Sequence, residues 1–194
     1  MEDRTIIQHS VLIVSASGKL DEVVRRNLSE DTLMSLDGKR SAAAARQSFL
    51  ERYYDLMIVE MPLPDESGIG LVFDMSGQSN ASVLLIAERD RYEEILERVT
   101  GEGVLVLPKP FPKGRLRQAI RYLFAIQEKV RRLEKKLEAA GEKLEELRAV
   151  DRTKLILIEK KHMTEDEAHR FIGKWAMDRG VSRRRAAEML LEEI

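Results

Sequence analysis

The stretch Asp55-Leu-Met-Ile-Val-Glu60-Met-Pro-Leu-Pro64-Asp-Glu-Ser-Gly68 decides the fold. Residues 56–59 are apolar without polar alternation, the pattern of a strand buried on both faces. The two prolines and the glycine that follow cannot prolong a strand and read as a loop. Comparable short runs lie at residues 11–14, 32–36, 83–86 and 104–107. Helical patterns fill the intervals, at residues 19–28, 42–52, 70–76 and 91–99. Strand and helix alternating in this way predict an α/β domain, a five-stranded parallel sheet covered by helices.

Beyond this half the periodicity changes. Leu116, Ala119, Leu123, Ile126, Val130, Leu133, Leu137, Ala140, Leu144 and Leu147 are spaced alternately by three and four. A heptad held this long predicts a coiled coil, and the Lys, Glu and Arg around it leave a single apolar seam for a second chain to cover. A solvated single helix held by salt bridges is the other reading. Gly141, inside this helix, costs about 1 kcal/mol relative to Ala and marks a soft point. The flank charges do not settle whether the strands run parallel or antiparallel.

The last 45 or so residues carry three helical segments, enough for a very small core that leans on the preceding coil. The first continues from the coil to about Lys161. Thr164 and Glu167 form a capping box for the second, in which Ala168, Phe171, Ile172, Trp175 and Ala176 fall on one face, and Gly180 is suited to end it. Ser182 can cap the third, with Ala186, Ala187, Leu190, Leu191 and Ile194 on its apolar side. The expected division is therefore residues 1–122, 123–148 and 149–194.

Composition removes several chemistries. The 194 residues contain no Cys, which excludes a disulfide framework, a Cys-ligated zinc site, an iron–sulfur cluster and a thiol nucleophile. No apolar run approaches the roughly 20 residues needed to cross a bilayer, and the start, MEDRTIIQHS, lacks the pattern of a signal peptide. A soluble, cytoplasmic protein without membrane contact is expected. Lys plus Arg number 33 and Asp plus Glu 34, for a net charge of −1. That sum disfavours a nucleic-acid binder, whereas the distribution permits one: bases cluster at Lys160, Lys161 and Arg183 to Arg185, away from the acids at Glu165 to Glu167.

The segment from Asp55 to Gly68, taken with Leu107-Pro108-Lys109-Pro110-Phe111, resembles the receiver domain of response regulators. The resemblance implies a flavodoxin-like (CheY-like) sheet. An aspartate ends its third strand as phosphoacceptor, an acidic pair ends the first and holds Mg²⁺, a Thr or Ser follows the fourth, and a Lys follows the fifth. Here Glu60 stands at the acceptor position, Ser15 and Ala16 at the acidic pair and Ile86, followed by Ala87, at the hydroxyl; Lys109 alone matches. Glu60 also carries its carboxylate one methylene further out. The domain reads as an unphosphorylated pseudo-receiver with a vestigial site, no metal and no cofactor. A Glu60–Lys109 ion pair would imitate the phosphorylated state; the bland alternative is two solvated leftovers.

The tail, with Thr153-Lys154-Leu-Ile-Leu-Ile158, Met163-Thr164-Glu-Asp-Glu-Ala168, Ala176-Met177-Asp178 and Ala186-Ala187, resembles the ANTAR domain of the AmiR and NasR antiterminators. The opening block departs from that pattern at Thr153, Leu155 and Ile158. The resemblance implies a three-helix bundle that binds paired stem-loops in a leader RNA. Lys154 carries over from the motif; Lys160, Lys161, Lys174, Arg179, Arg183, Arg184 and Arg185 are further candidates, Arg184 and Arg185 from charge alone. A solvated face is the alternative for the arginine run. Trp175 could stack a base, but its phase with Phe171 and Ile172 favours the core.

The expectation is a non-enzymatic antitermination regulator acting on RNA as a homodimer through the coil. The competing expectation is a protein-interaction module, in which the pseudo-receiver and coil bind a sensor protein and RNA binding is weak or lost.

Overall fold

A computed structural model describes residues 8–29 and 32–193. The chain divides into two units, residues 1–130 and 131–194. In the first, β1 (His9–Val14), α1 (Lys19–Asn27), β2 (Leu33–Lys39), α2 (Ala42–Glu51), β3 (Leu56–Glu60), α3 (Ile69–Gln78), β4 (Ser82–Glu88), α4 (Tyr92–Val99) and β5 (Leu105–Lys109) alternate as expected. The strands pair in parallel in the order β2-β1-β3-β4-β5.

Each central strand buries alternate residues on opposite faces. Leu12, Val14, Met57, Val59 and Leu85 join residues of α2, α3 and α4 in one core. Val11, Ile13, Leu56, Ile58 and Leu84 meet α1 and the start of α5 (Lys113–Lys161) in the other. This double burial explains why the central strands carry unbroken apolar runs.

The second strand departs from expectation, starting later and running through Asp37 and Gly38 to Lys39. A central strand would reject that pair, but β2 lies at the sheet edge and is only half-buried. Asp37 is anchored by the Tyr54 hydroxyl, which donates to its carboxylate at 2.7 Å.

The heptad has two owners, which corrects the expected seam. Leu116, Ala119 and Leu123 are buried in the sheet's own core with Ile120 and Phe124. Their spacing is that of a helix lying on a sheet, and they are not available to a second chain. Leu133, Leu137, Leu144 and Leu147 are exposed by 48 to 75%.

In the second unit the end of α5 packs with α6 (Glu165–Arg179) and α7 (Arg183–Glu193). Val150, Leu157, Ala168, Ile172, Trp175, Ala187 and Leu190 form its small core. The Thr164–Glu167 capping box opens α6, and Gly180, left-handed at φ 64°, closes it. Ser182 caps α7, its Oγ accepting from the Arg185 N–H at 3.2 Å. Thr153 is fully buried, its Oγ 2.9 Å from the Ala149 carbonyl and 3.1 Å from the Ala187 carbonyl. That hydroxyl bonds α5 to α7 and gives the motif's first departure a structural use. Phe171, expected in the core, is 39% exposed, because Ile172 and Trp175 take the inward positions. Ile194 lies outside the described residues.

Gly141 sits inside α5 with nothing within 4 Å of the position a Cβ would occupy. Gly141→Ala should therefore stabilise the chain by about 1 kcal/mol, read as a higher urea midpoint at unchanged slope.

Candidate functional site

Ligands of open parallel sheets bind beyond the strand carboxyl ends. That edge carries Ser15 after β1, Glu60 ending β3, Glu88 ending β4 and Lys109 ending β5. Lys109 Nζ lies 2.9 Å from Glu60 Oε1 and 3.2 Å from Glu88 Oε1. Ser15 is fully buried, and its hydroxyl donates to Glu60 Oε2 at 2.5 Å. Glu60 thus has one oxygen held by an ammonium and the other by a hydroxyl. Ile86 is the register partner of Glu60, and it and Ala87 are fully buried, so neither gives this edge a hydroxyl. Ala16 is exposed and offers no polar side-chain atom.

Burial pulls the Lys109 ammonium down, but the carboxylates of Glu60 and Glu88 outweigh it, so its pKa is held above the ordinary lysine value. Glu60 and Lys109 are each about a quarter exposed, and such a pair contributes about 1 kcal/mol at most. Glu88 was missed in the sequence. Its signal was register, because a fourth strand reaching residue 88 sets it directly opposite Lys109.

These donors do not fit the Mg²⁺ of the resembled family. A serine hydroxyl and a methyl replace two carboxylates, the remaining carboxylates are engaged by Lys109, and Arg40 places a guanidinium 3.2 Å from the Ser15 carbonyl. Among the described residues no cluster of three metal-ligating side chains occurs.

The loop after β3 is anchored independently. Asp65 accepts from the Ala42 and Ala43 N–H groups at 2.9 Å each, which caps α2 and holds its carboxyl below the usual range. Glu66 accepts from Arg46 at 2.9 Å and from the Leu71 N–H at 2.9 Å.

In the tail, the expected RNA-contacting bases differ in their surroundings. Lys154 is only 15% exposed and lies 2.8 Å from Asp151 and 2.9 Å from Glu165, tying α5 to the start of α6. Arg184 and Arg185 both pair with Glu188, at 2.9 and 3.5 Å. Arg179 stacks over the buried Trp175, 3.7 Å from the ring centroid. Lys160, Lys161, Lys174 and Arg183 are exposed. Lys161 and Lys174 both line, with Phe171, a hollow at the α5–α6 corner.

Comparison with protein-family models matches residues 11–121 to the response regulator receiver domain and residues 138–191 to the ANTAR domain. The chain is a response regulator with an ANTAR domain. It shares 29% identity over 141 residues with the transcriptional regulatory protein PdtaR of Mycobacterium tuberculosis, spanning 72% of this chain and 68% of that protein. The receiver fold is shared with the signal receiver domain of an HD domain-containing protein from Pseudomonas fluorescens Pf-5, at 23% identity and a TM-score of 0.58, covering 68% of this chain and 98% of that one. It is shared equally with a structure described as adenylate cyclase from Rhodopirellula baltica, at 21% identity, a TM-score of 0.62 and the same coverage. ANTAR response regulators form a family of transcription antitermination regulators, and the ANTAR domain family is RNA-binding. Among the described residues no helix is long and apolar enough to cross a membrane.

Because the folded pKa of Lys109 is raised, the ion pair's stabilisation is fully present below the unfolded lysine value of 10.5 and is lost as pH rises through the folded value. The stability gap between the native chain and Lys109→Met should hold from pH 7 to about 10 and shrink above it, as followed by urea unfolding in a pH series.

Proposed function

We propose that this response regulator acts in the cytoplasm on nascent transcripts. Its ANTAR domain binds paired stem-loops as a coiled-coil homodimer, and its receiver is a pseudo-receiver that is not phosphorylated. The observation that carries the reading is the Glu60–Lys109 pair, 2.9 Å apart at the phosphoacceptor edge of a chain that ends in an ANTAR domain. A carboxylate carried one methylene further out than the family's aspartate, and already bound to the family's lysine, stands where phosphoryl oxygens would, so the receiver holds one state without a phosphodonor. The chain then works as a regulator and not as an enzyme, in three parts: a receiver that takes in Leu123 and Phe124, a coil from Ile126 to residue 148, and an RNA-binding bundle over 149–194.

Support for the dimer comes from Leu133, Leu137, Leu144 and Leu147, large side chains at heptad spacing that are exposed in the single chain. Ile126 and Val130 begin this shortened seam, and Ala140 lies within it. Two tethered ANTAR domains raise the effective concentration for a second stem-loop, which offsets the weak charge of a tail with ten basic and nine acidic residues. A partner-binding role for the receiver is favoured by a hollow of about 580 Å³ lined by Tyr92, Leu105, Phe111 and Tyr122 together with Arg89 and Arg115. The two roles are compatible in one protein.

Binding to leader RNAs upstream of its own operon, compared with loop-scrambled versions, should be selective and should fall steeply with salt, by roughly 0.7 log unit per log unit of salt for each phosphate contacted in a single strand. Glu60→Gln should weaken RNA affinity or dimerisation, and no change in either sinks the locked state. Intact mass after incubation with a phosphodonor and Mg²⁺ should show no phosphoryl adduct. Leu133→Asp with Leu137→Asp should convert the dimer to a monomer in sedimentation velocity, with the helix content of the receiver retained.

A further inference from the structure

We infer that the corner between α5 and α6 is a stacking pocket for one unpaired RNA base, with Phe171 as its platform. The inference takes RNA as the ligand class from the reading above and adds a site centred on Phe171, which lies between the blocks of the ANTAR motif.

Lys161, His162, Met163, Arg170, Phe171 and Lys174 line a shallow hollow of about 530 Å³. Phe171 contributes an aromatic ring that its own domain leaves 39% exposed, although the neighbouring Ile172 and Trp175 are buried. The cations around it differ from the others of the tail. Lys154, Arg184 and Arg185 are each paired with carboxylates of their own domain. Neither Lys161 nor Lys174 is paired with a carboxylate among the described residues, and both are exposed. Glu167 is the one acid lining the hollow, and its carboxylate accepts from the N–H and hydroxyl of Thr164 at 2.8 Å each. Arg170 is steadied by donating from Nε to the Asp166 carbonyl at 3.2 Å.

The backbone gives an independent indication. His162, just after the end of α5, has φ 54°, the left-handed conformation that glycine adopts without strain. Gly180 performs the same turn after α6 at φ 64°. This turn sets an exposed imidazole among the residues lining the hollow.

A flat apolar ring rimmed by unpaired cations matches a base whose flanking phosphates lie on either side of it. Paired bases cannot present a face, so the ligand is a loop nucleotide. Phe171 stacks it, Lys161 and Lys174 meet the two phosphates, and His162 closes the edge.

The test uses the full chain and a leader RNA with two stem-loops, carrying 2-aminopurine at each loop position in turn. The native chain should quench the fluorescence at one position. Phe171→Leu should abolish that quench and weaken binding about tenfold, whereas Phe171→Tyr should keep both. Lys161→Gln with Lys174→Gln should lower the salt slope by about 1.4. His162→Gly should weaken binding while leaving the melting temperature equal or higher. If Phe171→Leu binds and quenches like the native chain, the pocket is overturned while the antitermination reading stands. Equal affinity for a fully paired duplex, or equal competition by polyglutamate, also overturns it. A native chain that binds no stem-loop RNA removes both inferences.

Discussion

A parallel sheet has two apolar faces, and both must be withdrawn from water before its strands can hold together. In this protein one face is covered by α2, α3 and α4, and the other by α1 and the first turns of α5. The second cover is the constraint on which the rest depends. Leu116, Ile120, Leu123 and Phe124 are each buried to within 5% of complete, and a fully buried side chain of this size contributes about 1.5 to 3 kcal/mol. The long helix is thus first a structural part of the sheet domain. Its later residues serve the small C-terminal core, where Val150 and Leu157 are buried.

The same packing brings the strand ends to a common edge. Glu60, Glu88 and Lys109 are consecutive only in space, and register is what makes them neighbours. Two carboxylates share one ammonium there, while Ser15 supplies the hydroxyl hydrogen that the second Glu60 oxygen accepts. A site built for a divalent cation would keep the acidic pair that Ser15 and Ala16 replace here.

Much of this was legible in the sequence because the signals were local. The runs 11–14, 56–59 and 83–86 have no polar alternation, and a strand covered on both faces is what such a run satisfies. The Thr164–Glu167 box and Gly180 mark the two ends of α6 by backbone hydrogen-bonding needs that any sequence reveals. What escaped depended on the third dimension. A helix on a sheet and a helix in a coiled coil share the three-four spacing, so Leu116, Ala119 and Leu123 could not be told from Leu133 or Leu137 until their surroundings were known. Phe171 shares a helical face with Ile172 and Trp175, and a rotation of the helix decides which of them is inside. Lys154 carries the charge expected of a nucleic-acid contact, and the Glu165 carboxylate beside it comes from the next helix, where no helical spacing announces it. The Asp37-Gly38 pair looks like a turn until an edge strand, hydrogen-bonded on one side alone, is seen to tolerate it.

The loop after β3 has a consequence for how information could pass through this domain. Asp65 fastens it to the start of α2, and Glu66 fastens it to Arg46 and to the backbone of α3. Signalling by a disorder-to-order change needs a segment with conformational freedom to surrender. A segment already tied at two adjacent residues has little such freedom left, so a ligand arriving at this edge would find almost no entropy to take from it.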